Sequence, residues 1–320
     1  MLGELRFGNI GSPSNVQSDE VPRIPTIGVV ILYYRNWPVV TRTLASVTRQ
    51  SLQPVAVLVV DNASGDQAAQ QLVADGVTVL SMPRNLGYAG GMRAGIDAMR
   101  SRHQLDAILL LTHEVQLDDD ALEQLVAELA VPGTAMVGPA LALPERPDIV
   151  YTLGGLIDPV SGFPVHRFAG RPLAAFAAGP AQQVDWLDGC ALLVDTDAWD
   201  RTGGFDDGFF MYCEDAEFGV RCTRLGYRVT CVPGATALAA PADTVSEYIF
   251  VRSGVRFLAR TGRRRAALDL ATHAIAGAAR DVVLGRGRAG ARARILGAVH
   301  AYTGQFWPRL LTVKRDVVSP

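Results

Sequence analysis

Residues 27–61 read IGVVILYYRNWPVVTRTLASVTRQSLQPVAVLVVD. Ile27 to Tyr33 is an unbroken apolar run rich in β-branched residues, and Val55 to Val60 is a second one. Between them, Trp37 to Gln50 carries Val40, Leu44 and Val47 at helical spacing, so the stretch predicts strand, helix, strand. The alternation continues outward with a strand at Val77 to Leu80, a Gly-rich loop opening a helix over Gly90 to Arg100, and a strand at Ala107 to Leu111. Strands that are apolar on both faces and alternate with helices predict an α/β, Rossmann-like domain with a mostly parallel sheet covered on both sides. Ligands of such sheets lie beyond the carboxyl ends of the strands.

At 320 residues and 49% hydrophobic content, the chain can bury a core of one large domain or two smaller ones without staples. Its four cysteines, Cys190, Cys213, Cys222 and Cys231, contain no CxxC pair and follow no apolar leader, so a reduced, cytoplasmic setting is expected. The apolar runs fall well short of the roughly 20 residues of a membrane span. Residues 1–23, rich in Gly, Ser, Pro and Asn without periodicity, are expected to form a disordered arm.

The net charge of −2 conceals an asymmetry. From Arg252 to Arg315 there are 14 basic residues against Asp269 and Asp281, a surplus of 12 that leaves the rest of the chain near −14. Within residues 263–320, arginines interleave with Leu268, Leu270, Ile275, Val282, Val283 and Ile295, the composition of a basic amphipathic helical tail. Such a tail suits an anionic membrane surface, here the inner face of the plasma membrane, or equally a solvated helical face. Nucleic acid is disfavoured as a partner because the body is acidic and shows no basic-aromatic stacking module. A homo-oligomer stays open.

The strand ends are where chemistry is expected. Tyr33, Tyr34 and Arg35 close the first strand with no glycine after them, so the GxGxxG dinucleotide fingerprint is missing from its required place. A P-loop needs a Gly-Lys step, and Lys314 is the sole lysine. Asp61-Asn62-Ala63-Ser64-Gly65-Asp66 offers an acid to a base or ribose, and is also the composition of a tight turn. Arg84-Asn85-Leu86-Gly87-Tyr88-Ala89-Gly90-Gly91 reads either as a plain strand-to-helix turn or as a loop that lets backbone and a helix N-terminus approach a diphosphate. Thr112-His113-Glu114 ends the fourth strand with two plausible ligands for a divalent ion. The acids Asp118, Asp119 and Asp120 lead into Asp120-Ala121-Leu122-Glu123, the spacing of a capping box.

Phe209 to Arg221, FFMYCEDAEFGVR, sets Glu214, Asp215 and Glu217 against an aromatic run. On a helix, Glu214 and Asp215 share a face with Phe218, so the acids sit partly dry, and a dry carboxyl has the raised proton affinity that suits a general base. The same acids would also complement the dipole of a helix start.

In order, IGVVILYYRNW, VLVVDNASGD, NLGYAGG, an acid after ILLL, VDWLDGC, TGGFDDGFFMYCEDAEFGVRCTRLGY, and Tyr248 and Arg252 in a Tyr-x-x-x-Arg resemble glycosyltransferase family 2, in its bacterial rhamnosyltransferase-like branch. The resemblance covers about residues 25 to 262 and implies a single A-type (GT-A) domain over 24–262. It implies an inverting transfer of a sugar, possible donors being UDP- or dTDP-linked and including rhamnose, to a cell-envelope glycan, a lipid-linked saccharide or a small-molecule acceptor. By the same resemblance, Asp61 holds the base, and Tyr33, Arg35, Arg84, Asn85, Gly87, Thr112, His113 and Arg252 surround the nucleotide-sugar. Asp215, paired with Glu214, is the catalytic base, and Trp186 and Asp188 line the sugar and acceptor cleft, where Trp186 also suits core packing. Mn²⁺ or Mg²⁺ would sit on Glu114 and His113. Two departures bear on that ion: Thr112 stands where the family has a first carboxylate, and residues 232–246 contain no histidine. A catalytically impaired sugar-nucleotide-binding subunit is the alternative reading.

Overall fold

The computed structural model describes residues 25–239, 246–284 and 288–305, so the expected arm over 1–23 lies outside the described residues. The first half runs β1 (Ile27–Tyr33), α1 (Trp37–Thr48), β2 (Ala56–Asp61), α2 (Ala68–Ala74), β3 (Thr78–Ser81), α3 (Gly87–Arg100) and β4 (Ala107–Thr112). Then follow β5 (Gln116–Leu117), α4 (Ala121–Leu129), β6 (Thr134–Leu143), β7 (Arg146–Thr152), the small hairpin β8 (Gly155–Ile157) and β9 (Pro164–His166), and β10 (Gln182–Gln183). The chain continues with β11 (Ala191–Asp195), α5 (Thr196–Thr202), α6 (Glu214–Arg224), β12 (Arg228–Leu238), α7 (Glu247–Arg260), α8 (Arg264–Val283) and α9 (Arg288–Thr303).

The main sheet has the order β10-β12-β6-β11-β4-β1-β2-β3. β3, β2, β1 and β4 are mutually parallel, as their continuous apolar runs predict, and every residue of β1 is buried. The loop before α3 is shorter than expected, because the helix begins at Gly87 rather than Gly90. Gly95 lets α3 lie close on the sheet: a Cβ there would meet the Val30 Cγ1 at 2.5 Å.

β11 runs antiparallel between β4 and β6, with Ala191 opposite Leu111. Its amino end therefore lies at the carboxyl edge of β4, and the Thr112 N–H donates to the Cys190 carbonyl at 2.9 Å. This one reversal delivers Asp188-Gly189-Cys190 to the edge where the parallel strands end.

The triple acid differs from its expected role. Asp120 is the N-cap of α4 but makes no side-chain cap bond, and Glu123 accepts from the Ser51 hydroxyl instead of closing a capping box. Asp119 pairs with Arg49 at 3.0 Å and Asp118 accepts from the Thr236 hydroxyl. The acids fasten the start of α4 to α1 and β12.

Nor do the C-terminal helices trail from the body. α7, α8 and α9 pack on one another, and one apolar cluster runs from Trp186, Phe209 and Ala216 through Val251 and Val255 to Ala298 and Ala301. The alanines of α8 at 267, 271, 274 and 278 are its buried face.

Candidate active site

At the ends of β1 and β2, short bonds tie one loop to the other. The Tyr33 hydroxyl donates to Asp66 Oδ2 at 2.6 Å, and the Arg35 N–H donates to Ser64 Oγ at 3.0 Å. Burial raises the Tyr33 proton affinity first and the Asp66 bond second, so the phenol stays a donor. Asp61 is buried, and its Oδ1 accepts from the Ser64 N–H at 2.9 Å. The composition of residues 61–66 thus does form the turn, with Asp61 at its root. A depression of about 700 Å³ flanks it, lined by Trp37, Asp66, Gln67, Gln70, Gln71 and Ala74. None of the Asp188, Glu214 and Asp215 carboxyls lines that depression.

Asn62 organises the next loop. Its amide donates to Asn85 Oδ1 at 3.0 Å and to the Gly87 carbonyl at 2.9 Å, while its oxygen accepts from the Leu86 N–H at 2.8 Å. Asn85 Oδ1 also accepts from the Gly87 N–H at 2.8 Å. Gly87 is a glycine for two reasons: its φ is 73°, and a Cβ would lie 2.0 Å from the Phe210 carbonyl oxygen. The Tyr88 N–H donates to that carbonyl at 2.7 Å, and the Tyr88 hydroxyl donates to the Gly189 carbonyl. The loop after β3 is thereby clamped onto the segment that leads into α6 and onto the turn before β11. Arg84 is exposed beside it.

Immediately before α6, Tyr212 and Cys213 both adopt left-handed backbone, with φ of 69° and 67°. Two consecutive non-glycine residues there cost of order 1–3 kcal/mol each and persist only where the surroundings over-determine them. The turn aims the first residues of α6. Asp215 is half-buried, its Oδ2 accepting from the Gly189 N–H at 2.9 Å and its Oδ1 from the Ala216 N–H at 2.7 Å. Desolvation and then the charge of Asp188 push its pKa up to about 7, against the two N–H bonds that lower it. Glu214 is buried, and burial followed by the Asp215 charge holds its pKa well above the carboxylate range. Its Oε2 is buried with no hydrogen-bond partner. Both carboxyls therefore hold a proton more tightly than free acids do, and Asp215, near 7, is poised to gain or lose one at neutral pH. Glu217, the third acid of the run, is structural: it pairs with Arg221 at 2.6 Å.

Opposite the pair stand Asp188, Tyr151 and His166. The Asp188 Oδ1 accepts from the Cys190 N–H at 3.0 Å. Tyr151 and His166 rings lie 4.9 Å apart, and His166 lies 5.0 Å from the Trp186 indole. Burial lowers the His166 pKa while Asp188 raises it; burial and then Asp188 raise that of Tyr151. Trp186 itself is 5% exposed, covered by Gly155 and donating to the Leu156 carbonyl at 3.3 Å. Packing covers it, and His166, which rests on it, carries Tyr151 in turn.

Residues 28–171 match the family model Glycosyl transferase family 2. Over that segment the chain is similar to glycosyl transferase family 2, and its relatives include rhamnosyltransferases. Among its relatives is the N-acetylglucosaminyl-diphospho-decaprenol L-rhamnosyltransferase of Mycobacterium tuberculosis, 29% identical over 231 residues that span 66% of this chain and 74% of that protein. Rhamnosyltransferase WbbL of Escherichia coli K12 is 42% identical over 55 residues, 17% of this chain and 21% of its own. The fold is that of the A-type glycosyltransferases. The mannosyltransferase PcManGT of Pyrobaculum calidifontis, solved with GDP-Man and Mn²⁺, superposes with a TM-score of 0.53 at 16% identity, covering 88% of both chains. GalNAc-T7, solved with UDP, GalNAc and Mn²⁺, gives a TM-score of 0.59 at 14% identity over 75% of this chain; the match spans only 48% of that enzyme.

In this glycosyltransferase, Thr112-His113-Glu114 follows the buried run of β4. Glu114 Oε1 accepts from the Thr112 hydroxyl at 2.8 Å, and its Oε2 lies 3.3 Å from His113 Nδ1. Thr112, which cannot replace a carboxylate, thus orients the one that follows. Among the described residues no three acidic, histidine or cysteine side chains cluster as a metal site. One carboxylate and one imidazole nevertheless fit an ion that takes its remaining ligands from diphosphate oxygens and water, as Mg²⁺ and Mn²⁺ do in phosphate chemistry.

Arg252 belongs to the C-terminal helices. It is 3% exposed in α7, its Nε donating to the Gln305 carbonyl at 3.0 Å, and Tyr248 bonds His300 Nδ1 at 2.9 Å. The Tyr-x-x-x-Arg pair therefore fastens α9 to α7. Sequence reasoning missed Asn62, Tyr88, Tyr151 and His166. Asn62 sat in plain view after Asp61, but its three partners lie 23 to 25 residues away and only the fold brings them to it.

Proposed function

We propose that this glycosyltransferase moves a deoxyhexose, rhamnose, from a UDP- or dTDP-linked donor to a hydroxyl of a lipid-linked saccharide, with inversion at the anomeric carbon. The observation that carries it is Asp215, a carboxyl with its pKa near 7 held by the Gly189 and Ala216 N–H groups beside Asp188. The named activity of the mycobacterial relative supports the choice of sugar and of acceptor class. A lipid-linked acceptor implies work at the inner face of the plasma membrane.

Asp61 and the turn at Ser64 receive the nucleoside. The loop at Asn85 and Gly87, with the N-terminus of α3, faces the diphosphate. Asp215 takes the proton of the acceptor hydroxyl as that oxygen forms its bond to the anomeric carbon; the bond to the phosphate oxygen breaks and its electron pair leaves with the nucleoside diphosphate. Asp188, Tyr151 and His166 frame the acceptor. Glu114 and His113 would hold Mn²⁺ or Mg²⁺, which when bound offsets charge on the leaving diphosphate.

A thermal-shift series across UDP-, dTDP- and GDP-sugars tests the donor assignment, because a ligand of the native state raises apparent stability by about 2.7 kcal/mol at a hundredfold excess over Kd. Stabilisation by a UDP- or dTDP-sugar is expected. No shift with any nucleotide sugar contradicts the reading.

A further inference from the structure

α8 and α9 form an antiparallel pair, because the start of α8 (Arg264, Ala267) and the end of α9 (Ala301, Tyr302) line one pocket with Arg256 and Arg260. Both helices turn alanines inward. Outward, α8 exposes Leu268, Ile275 and Val282, seven residues apart and 58%, 40% and 45% exposed. α9 exposes Ile295, Val299 and Tyr302 at spacings of four and three, again one face. Large aliphatic side chains at helical period on the solvent side are not required by the fold, whose contacts in this hairpin are made by small residues. No helix of the described residues is long and apolar enough to cross a membrane.

Charge selects the occupant. Arg264, Arg265, Arg280 and Arg292 are exposed on these helices, with Asp269 the one exposed acid among their described residues, since Asp281 pairs with Arg294. Arg264 also lines the pocket of about 350 Å³ with Arg256 and Arg260, which share Asp206. A second copy of the chain on this face would set arginines against arginines. A surface that is apolar in depth and anionic at its edge satisfies both features, with arginine stems lying along the aliphatic stripe and their heads in the phosphate layer.

We propose that the outer face of the α8–α9 pair docks on a bilayer carrying anionic lipids, with the exposed Arg264 and Arg265 meeting the lipid phosphates. This goes beyond the transfer chemistry and stands or falls separately from it. The test is co-sedimentation of the full chain with sucrose-loaded vesicles of phosphatidylcholine and phosphatidylglycerol, with pure phosphatidylcholine vesicles, and with the anionic vesicles at high salt. Pelleting with the anionic vesicles at low salt only is expected. Arg264→Gln with Arg265→Gln should weaken partition about thirtyfold, and Leu268→Ser with Ile275→Ser and Val282→Ser at least tenfold, all at exposed positions. Equal pelleting on both vesicle types, pelleting of both variants like the parent, or a dimer that the serine variant dissociates without change in vesicle binding would each overturn the proposal.

Discussion

At residue scale, the proposed chemistry turns on how Asp215 is surrounded. Its folded pKa of about 7 lies above the ordinary 3.8, through desolvation first and Asp188 second. A base must be deprotonated, so the rate should rise with pH through about 7 and level off above it, and should fall about tenfold per unit well below, as a kcat/KM profile will show. The linkage has the opposite sense for stability. A carboxyl whose folded pKa is raised binds its proton more tightly when folded, so its contribution is fully present below about 4 and is lost as pH rises through 7. Glu214, raised by burial and then by the Asp215 charge, acts in the same direction. The enzyme should therefore gain activity and lose thermal stability over the same pH interval, a trade of the kind expected where a site keeps acids dry.

At the scale of elements, the cleft exists because separate segments are clamped to one another. Asn62→Ala removes three bonds and orphans the Leu86 N–H and the Gly87 carbonyl, a loss of about 2–3 kcal/mol that falls on the donor loop. Donor KM should rise severalfold in steady-state assays while kcat changes less; an unchanged KM would mean that the loop holds its shape unaided. Glu114→Ala should abolish any stimulation by Mn²⁺ after EDTA treatment. Full wild-type activity in EDTA would instead place charge stabilisation on protein groups such as Arg84. The strands, their parallel half and the acid pair of α6 were legible because burial on both faces and aromatic context leave a local record. The reversal of β11, the left-handed turn at Tyr212 and Cys213, and the packing of His166 were not legible. Neither turn residue is a glycine, β11 resembles any buried strand, and His166 gains meaning only when its hairpin folds onto Trp186. The capping spacing at Asp120 misled because its carboxyl accepts from the Gln124 amide one turn on and Glu123 turns to the Ser51 hydroxyl.

At the scale of the molecule, the boundary expected at residue 262 crosses a continuous core. Tyr248 is fully buried against His300, and Val251 and Val255 share a cluster with Ala298 and Ala301. Ending the chain at residue 262 should lower Tm by many degrees in calorimetry, since several side chains each worth about 1.5–3 kcal/mol of burial become exposed; an unchanged Tm would make 263–320 a separate tail. The match to the family model ends at residue 171, before α6, so Asp215 as the base is a proposal that its hydrogen bonds and raised pKa support. The most direct measurement is the turnover of Asp215→Asn on a nucleotide-sugar donor that stabilises the wild type, paired with donor affinity by calorimetry. Turnover lower by about 10² to 10⁴ with donor affinity nearly intact is the expected result. Turnover within a factor of two of wild type would contradict Asp215 as the base.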